Sequence, residues 1–237
     1  MSQSQPGSQP DSPPDSPPDS GPPPLDRWEA AYLRFETPEQ EIRKFEKRLL
    51  RFGARAWPRD LRIVELCCGR GNGLRALERL GFTHVEGVDR SAALLARYQG
   101  PARLVEADCR ALPFESASHD LVVIHGGLHH LPQIPLDLVR TLDEARRVLR
   151  AQGRIALVEP WQTPFLRLVH AVSLRPSLAR WWDKLDAFAT MTRYEAETYF
   201  AWLAAPEAIR AALAERFEPL VCDARWGKLR FLGRARG

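Results

Sequence analysis

Short apolar runs alternate with amphipathic segments through the middle of the chain. The runs at 61–66, 83–89, 103–107, 119–125 and 154–160 predict strands. Helical patterns separate them: RALERLG, AALLARYQG, and a longer stretch from Leu136 to about Leu149 that stops near Gly153. This alternation predicts βαβ units and a parallel sheet.

The last third of the chain departs from that rhythm. Residues 161–203 are helical in pattern and rich in aromatic residues, which predicts an insertion. A helix is then predicted from Pro206 to about Arg216, followed by two apolar runs within FEPLVCDARWGKLRFLGR. Only a few residues separate these runs, too few for a helical crossover, so we expect two antiparallel strands.

The N-terminal part precedes the predicted sheet. Residues 1–24 hold nine of the 20 prolines and the repeat DSPPDSPPDS, which predicts a disordered tail. Helices are expected at Leu25–Tyr32 and at Thr37–Phe52, the second opening with the capping sequence Thr-Pro-Glu-Gln. We therefore interpret 25–237 as one domain, with N-terminal helices at 25–57 and the insertion at 161–203.

Composition adds to this interpretation. A chain of 237 residues with 44% apolar content can bury the core of one mid-sized domain. We find no run of 18 apolar residues and no secretory signal, so we expect a soluble, cytoplasmic protein. The four cysteines lack the spacing of a disulfide framework or a zinc site, so reduced thiols and no bound metal are expected.

A glycine-rich turn follows the first predicted strand. Residues 63–73 read IVELCCGRGNG, which predicts a strand, a small-residue turn and the start of a helix. Such a turn lets a ligand approach the backbone closely. A dinucleotide-binding G-x-G-x-x-G turn would need glycine or alanine at position 74, where this chain has Leu74. A nicotinamide cofactor is therefore disfavoured.

This stretch instead resembles motif I of the class I S-adenosylmethionine-dependent methyltransferases. Four residues occupy the acidic and small-residue positions of that motif: Glu65, Cys67, Gly69 and Gly71. Cys67 departs from the pattern, because the family usually has glycine there.

Three further elements follow in the order of the same family. They are Gly87-Val88-Asp89 with the neighbouring Arg90, then Asp108 and Cys109 ahead of Leu-Pro-Phe, then the strand 119–125 with a loop that begins at His125. The resemblance covers about residues 40–160 in detail.

The resemblance implies both a fold and a cofactor. The fold is an α/β, Rossmann-like, seven-stranded sheet in the order 3-2-1-4-5-7-6, with an antiparallel last strand and helices on both faces. The cofactor is S-adenosylmethionine, which leaves as S-adenosylhomocysteine. Asp89 is expected to bind the ribose hydroxyls, Asp108 and the Cys109 amide the adenine, and His125 the methionine end.

Catalysis needs alignment of the acceptor and exclusion of water more than it needs a base. If the acceptor is a hydroxyl, His129 or His130 would lie close enough to take its proton, although both also suit a purely structural turn. Glu159 and Trp161 are further candidates for the acceptor pocket. The aromatic insertion implies a small, partly apolar acceptor.

Two other functions stay open at this point. Without Asp11, Asp15 and Asp19 of the tail, the chain carries a net charge of about +7, and several basic residues lie in the helix 37–52, which would suit an RNA or protein methyltransferase. Scattered arginines also occur on solvated helices, so nucleic acid is an unlikely partner. A cofactor-binding scaffold without turnover is the second alternative.

Overall fold

The computed structural model describes residues 34–173 and 183–236. The predicted tail 1–24, the predicted helix Leu25–Tyr32, and Trp181 and Trp182 of the predicted insertion lie outside the described residues.

Seven strands form one sheet in the order β3-β2-β1-β4-β5-β7-β6, so the predicted order is confirmed. β1 to β5 run parallel, whereas β7 pairs antiparallel with both β5 and β6. The strands are β1 Arg62–Leu66, β2 His84–Asp89, β3 Arg103–Glu106, β4 His119–His125, β5 Leu149–Pro160, β6 Phe217–Arg225 and β7 Lys228–Ala235.

Eight helices are described. They are α1 Pro38–Arg51, α2 Asn72–Arg79, α3 Ala92–Leu95, α4 Leu136–Val148, α5 Pro164–Ser173, α6 Asp183–Tyr194, α7 Ala196–Ala204 and α8 Pro206–Arg216. Thr37 caps α1 as the sequence predicts, because its hydroxyl accepts from the Gln40 amide while the Gln40 side chain accepts from the Thr37 amide. Single 3₁₀ turns occur at Ala54–Ala56 and Leu128–His130.

The two faces of the sheet carry separate apolar cores, because side chains alternate along each buried strand. On β1, Ile63 belongs to the core beneath α1 and α2, and Val64 belongs to the core beneath α4, α7 and α8. The carboxyl ends of the parallel strands therefore lie between two helical layers.

Two predicted boundaries are wrong. The chain leaves α4 at Val148 and enters β5 at once at Leu149, five residues before the predicted strand at 154. The register of β4 with β5 shifts between His119 and Leu121: Leu149 pairs with His119, and the next pair is Leu121 with Arg154, an irregularity that no sequence periodicity indicates. The helix predicted from AALLARYQG is a single turn, α3.

Within the segment 161–203 that the sequence predicts as an insertion, the structure describes α5, α6 and α7. The fully buried Trp202 of α7 donates its indole N–H to the Pro160 carbonyl at 2.8 Å, which fastens α7 to the end of β5. α7 also packs on the turn Leu128–His130. We call α5, α6 and α7 the helical roof.

Candidate active site

The glycine-rich loop after β1 has the conformation of a ligand cradle. Cys67, Gly69 and Gly71 have φ of 55°, 53° and 76°, in the left-handed region that favours glycine. A Cβ at Gly71 would lie 2.3 Å from the Tyr98 ring, whereas a Cβ at Gly69 would meet no atom within 4 Å. The loop is therefore closed against the protein at Gly71 and open at Gly69.

Asp89 holds this loop from the end of β2. Its carboxylate accepts from the Gly69 amide at 2.8 Å and from the Ser91 amide at 2.9 Å, one bond to each oxygen. Each oxygen keeps a second lone pair, as two adjacent ribose hydroxyls require. The two accepting oxygens of Asp89 and the open side of the loop fit the adenosine part of S-adenosylmethionine.

Asp108 lies in a small ionic network after β3. Its oxygens accept from the Arg110 side chain at 3.0 and 2.6 Å, and Arg110 also bonds to Asp137 at the start of α4. Arg110 lowers the pKa of Asp108 to about 2. The Oδ2 atom accepts one of these bonds and keeps a lone pair for the predicted adenine contact. Arg90 lies 3.9 Å from the same oxygen, so it is an electrostatic neighbour of this carboxylate.

Glu65 and His125 form a buried pair beneath the loop, each side chain 2% exposed. Burial and the nearby Glu41 raise the pKa of Glu65, and burial lowers the pKa of His125, so the two groups face each other uncharged at 3.1 Å. The His125 ring stacks on Phe45 of α1 at 4.3 Å. Both residues therefore support the loop from the α1 side, and their contact with a cofactor stays a prediction.

Close packing explains the small residues here. A Cβ at Gly73 would lie 1.8 Å from the Glu65 carboxylate, and a Cβ at Gly127 would lie 2.4 Å from Cβ of Cys67. The contact with Cys109 and burial raise the pKa of the Cys67 thiol, which stays protonated. All four cysteines are free. Cys67 thus brings the glycine-rich loop against the loop that follows β4.

Glu159 anchors the loop after β4 from the end of β5. It is fully buried, and one carboxylate oxygen accepts from the Gly127 and Leu128 amides at 2.9 Å each. Its other oxygen accepts from Nδ1 of His129 at 2.8 Å. Because a carboxylate only accepts, the His129 proton is held on Nδ1, and Nε2 carries the lone pair.

The Nε2 atom of His129 faces the helical roof. Glu195, just before α7, lies 3.8 Å away from it, and the Tyr199 ring meets the imidazole edge at 5.8 Å between centroids. Burial opposes protonation of His129, but the hydrogen bond with Glu159 and the nearby Glu195 carboxylate outweigh burial and raise its pKa. His129 is thus a buried, oriented base beside the Glu195 carboxylate and the Tyr199 ring.

His130 differs from its neighbour. Its side chain is 44% exposed, and its Nδ1 lies 3.9 Å from Glu195. Ligand atoms of His129, His130 and Glu195 lie within 4.8 Å of one another, a grouping that could hold a metal ion. The expectation that no metal binds stays a prediction.

Sequence reasoning missed some of this site. The sequence offers Glu159 as a candidate for the acceptor pocket and places Tyr199 in the aromatic segment 161–203, but it does not indicate Glu195 or Arg110 as site residues. Nothing near Glu195 in the sequence signals a function, because α7 reaches the Leu128–His130 turn only through the tertiary fold. Trp161, the other candidate, is 5% exposed and lies in the core, with Arg210 above its ring.

Comparison with known proteins also points to a methyltransferase domain. Residues 64–157 match the family described as Methyltransferase domain. The 2-phytyl-1,4-naphtoquinone methyltransferase of Trichormus variabilis is 38% identical over 107 residues, 40% of this chain and 45% of that protein. The demethylmenaquinone methyltransferase of Clavibacter sepedonicus is 33% identical over 153 residues, 60% and 59% respectively. The chain thus spans about half the length of these curated relatives.

Solved structures share the fold. A Pyrococcus horikoshii protein, PH0226, superposes with a TM-score of 0.64 at 16% identity, over 89% of this chain and 99% of that one. A SAM-dependent methyltransferase from Methanosarcina mazei gives 0.55 at 18% identity, over 78% and 96%. No helix among the described residues is long and apolar enough to cross a membrane. Residues 64–157 thus match a methyltransferase domain, and the strand order of the sheet is the one that the resemblance to the class I S-adenosylmethionine-dependent methyltransferases implies.

Proposed function

We propose that this protein transfers a methyl group from S-adenosylmethionine to a small apolar acceptor, and that the acceptor is a hydroxylated aromatic ring of the reduced quinone type. The observation that carries the proposal is the Glu159–His129 pair. It lies between the cofactor loop and the helical roof, where an oriented base can meet an apolar substrate.

The cofactor half of the site rests on the loop and its two acidic partners. Asp89 would hold the ribose, Asp108 and the Cys109 amide the adenine, and the open backbone at Gly69 would accept the cofactor against the loop. When bound, S-adenosylmethionine supplies a methyl group on a sulfonium centre that is already activated for displacement. The chain therefore has to orient the acceptor and exclude water.

The acceptor half begins at His129. An acceptor hydroxyl beside Nε2 would give its proton to that nitrogen, while the Glu159 carboxylate stabilises the imidazolium that forms. Loss of the proton makes the hydroxyl oxygen, and the ring carbon beside it, nucleophilic. An oxygen acceptor would gain the methyl group directly, whereas a carbon acceptor would also pass its ring C–H proton to the oxygen, which restores the aromatic hydroxyl. In either case S-adenosylhomocysteine would be the second product, and His129 would return one proton to water.

The helical roof and the relatives favour an aromatic acceptor. Tyr199, Leu203 and Leu166 are buried in the roof, and the Tyr199 ring lies edge-on to His129. Such walls suit a flat apolar ring, with the base and the cofactor loop as the polar elements. Two curated relatives are named as methyltransferases of a phytyl-naphtoquinone and of demethylmenaquinone, which supports the quinone class.

The test uses the full chain with S-adenosylmethionine and a panel of 1,4-naphthoquinols, with and without an apolar side chain, analysed by mass spectrometry. A product that carries one added methyl group and depends on the reduced ring would support the proposal. His129→Gln should abolish turnover while cofactor binding persists, and His130→Gln should keep most of the turnover. Cofactor binding without methylation of any quinol would reject this acceptor class and leave the scaffold alternative.

A further inference from the structure

A broad basic groove runs between α1 and the β6–β7 hairpin, close to the end of β5 that carries Glu159. Its volume is about 680 Å³. Eight cationic side chains line it against the single acidic residue Glu36: Arg43, Lys44, Lys47, Arg48, Arg51, Arg225, Lys228 and Arg230. We propose that this groove, with the apolar ridge beside it, docks the protein on a bilayer surface that carries anionic headgroups.

Some of these cationic side chains form ion pairs within the protein, and others can bind an external anion. Lys44 pairs with Glu36 and Arg230 pairs with Asp223. Among the described residues, no carboxylate lies within ion-pair distance of Lys47, Arg51, Arg225 or Lys228. These four lie on the rim of one groove, so their potentials add and attract an anionic surface.

An apolar ridge adjoins the groove at Trp226. This side chain lines the groove and is 75% exposed, and Phe165 of α5, 44% exposed, meets its ring edge-on at 5.3 Å. Leu168 follows one helical turn after Phe165 and is 62% exposed. A tryptophan, a phenylalanine and a leucine thus project together beside the cations, the combination that interfacial membrane binding uses.

Trp226 also occupies a conformation that its residue type disfavours. Arg225 pairs with Lys228, so Trp226 and Gly227 form a two-residue hairpin turn, with φ of 52° and 74°. Asparagine and glycine favour such turns, whereas a bulky aromatic residue is strained there. Beyond its edge-on contact with Phe165, the exposed Trp226 ring packs on little of the fold, which points to a role outside the folded chain.

The position of the ridge favours a bilayer over a nucleic acid. Lys228 pairs with Pro160 at the end of β5, so the hairpin tip and α5 lie at the carboxyl edge of the parallel strands, where the candidate active site also lies. Phosphates of RNA would satisfy the cations but would leave Phe165 and Leu168 in water. A bilayer satisfies both, because headgroups meet the groove while the ridge enters the interface.

The test is flotation of the full chain with phosphatidylcholine vesicles, with and without 30 mol% phosphatidylglycerol as a probe. We expect binding to the anionic vesicles alone, weakened by salt. Lys47→Glu with Arg51→Glu should lower the partition coefficient at least about 25-fold, since each basic residue contributes about fivefold. The matched control is Arg140→Glu with Arg146→Glu on α4, in the helical layer on the opposite face of the sheet. This control changes the net charge by the same amount, and it should change the partition coefficient less than threefold.

Trp226→Asn separates docking from folding. Asparagine suits the turn, so the melting temperature should stay equal or rise, while vesicle binding should fall about tenfold through loss of the ring. The proposal is overturned by equal binding to neutral and anionic vesicles, by an equal loss in the α4 control, or by unchanged binding of Trp226→Asn. It is also overturned if a single-stranded RNA binds through Lys47 and Arg51 while vesicles do not bind. None of these readouts depends on methyl transfer.

Discussion

Replacement of Glu159 by glutamine removes one charge from the centre of the candidate active site and almost no volume. In the wild type, one oxygen of Glu159 accepts from two backbone amides and the other accepts from Nδ1–H of His129. The glutamine oxygen can keep the two amide bonds. Its NH₂ group then faces a ring nitrogen that donates, so the imidazole must move its proton to Nε2. The base then carries its proton on the side that should accept one.

The magnitude follows from that tautomer change. General base catalysis contributes about 10²- to 10⁴-fold, and a wrong imidazole tautomer in a serine protease triad costs about 10⁴-fold. We therefore expect kcat of Glu159→Gln to fall about 10²- to 10⁴-fold. The amide bonds to Gly127 and Leu128 persist, so cofactor affinity should change less than about threefold.

The pH profile distinguishes this catalytic effect from a merely structural one. His129 acts as a base only when neutral, and its carboxylate partners raise its pKa above 6.5, so wild-type activity should rise as the pH increases through that raised pKa. In Glu159→Gln the burial remains and one partner is gone, so the pKa falls and the residual activity should rise at lower pH. The assay is kcat against pH with the best naphthoquinol, with cofactor titration as the folding control. A kcat within threefold of wild type and an unmoved profile would refute the role of the pair.

Three further predictions concern the residues that support the candidate active site and their effect on the stability of the fold. Gly73→Ala should lower the melting temperature by roughly 2–12 °C, since its Cβ meets the Glu65 carboxylate and overpacking costs about 1–3 kcal/mol; an unchanged melting curve would contradict the packing. Trp202→Phe should destabilise the fold by about 2 kcal/mol in urea unfolding, because it leaves the carbonyl at the end of β5 buried without a donor; a loss below about 0.5 kcal/mol would mean that the roof is not fastened there. Arg110 depresses the pKa of Asp108 to about 2, so the pair stabilises the fold above the ordinary pKa of 3.8 and this contribution is lost as the pH falls towards 2. The stability advantage of wild type over Arg110→Gln should therefore be present at pH 7 and vanish between about pH 4 and pH 2, and a constant difference across that range would contradict the coupling.

Local signals in the sequence determine much of the fold. The β4 strand is a continuous apolar run, α1 begins with a cap and a proline, and the two runs after Pro206 are too close for a crossover, so the structure reproduces these elements closely. The start of β5 could not be predicted, because Leu149 pairs with His119 of β4 ahead of an irregularity, and pairing with β4 resumes only at Arg154 with Leu121.

The candidate site divides in the same way. Asp89 and the glycine-rich loop are close in the predicted topology, and the structure joins them through the Gly69 amide at 2.8 Å. His125 shows the limit, because alternation along β4 turns its side chain towards Phe45, a contact that depends on where α1 packs. The Glu159–His129 bond joins residues 30 positions apart, and no local pattern predicts which of two adjacent histidines receives the carboxylate.

The most direct test of the account is calorimetric titration of the full chain with S-adenosylmethionine and S-adenosylhomocysteine, with Asp89→Ala beside the wild type and Asp143→Ala, an exposed carboxylate on α4, as the matched control. Asp89 would contribute two hydrogen bonds from a charged group, each about 1.5–3 kcal/mol, and it also holds the Gly69 amide. We predict one binding site per chain for both ligands, an affinity at least about 100-fold weaker in Asp89→Ala, and an unchanged affinity in Asp143→Ala. Absence of binding by the wild type, or equal binding by Asp89→Ala, would contradict it.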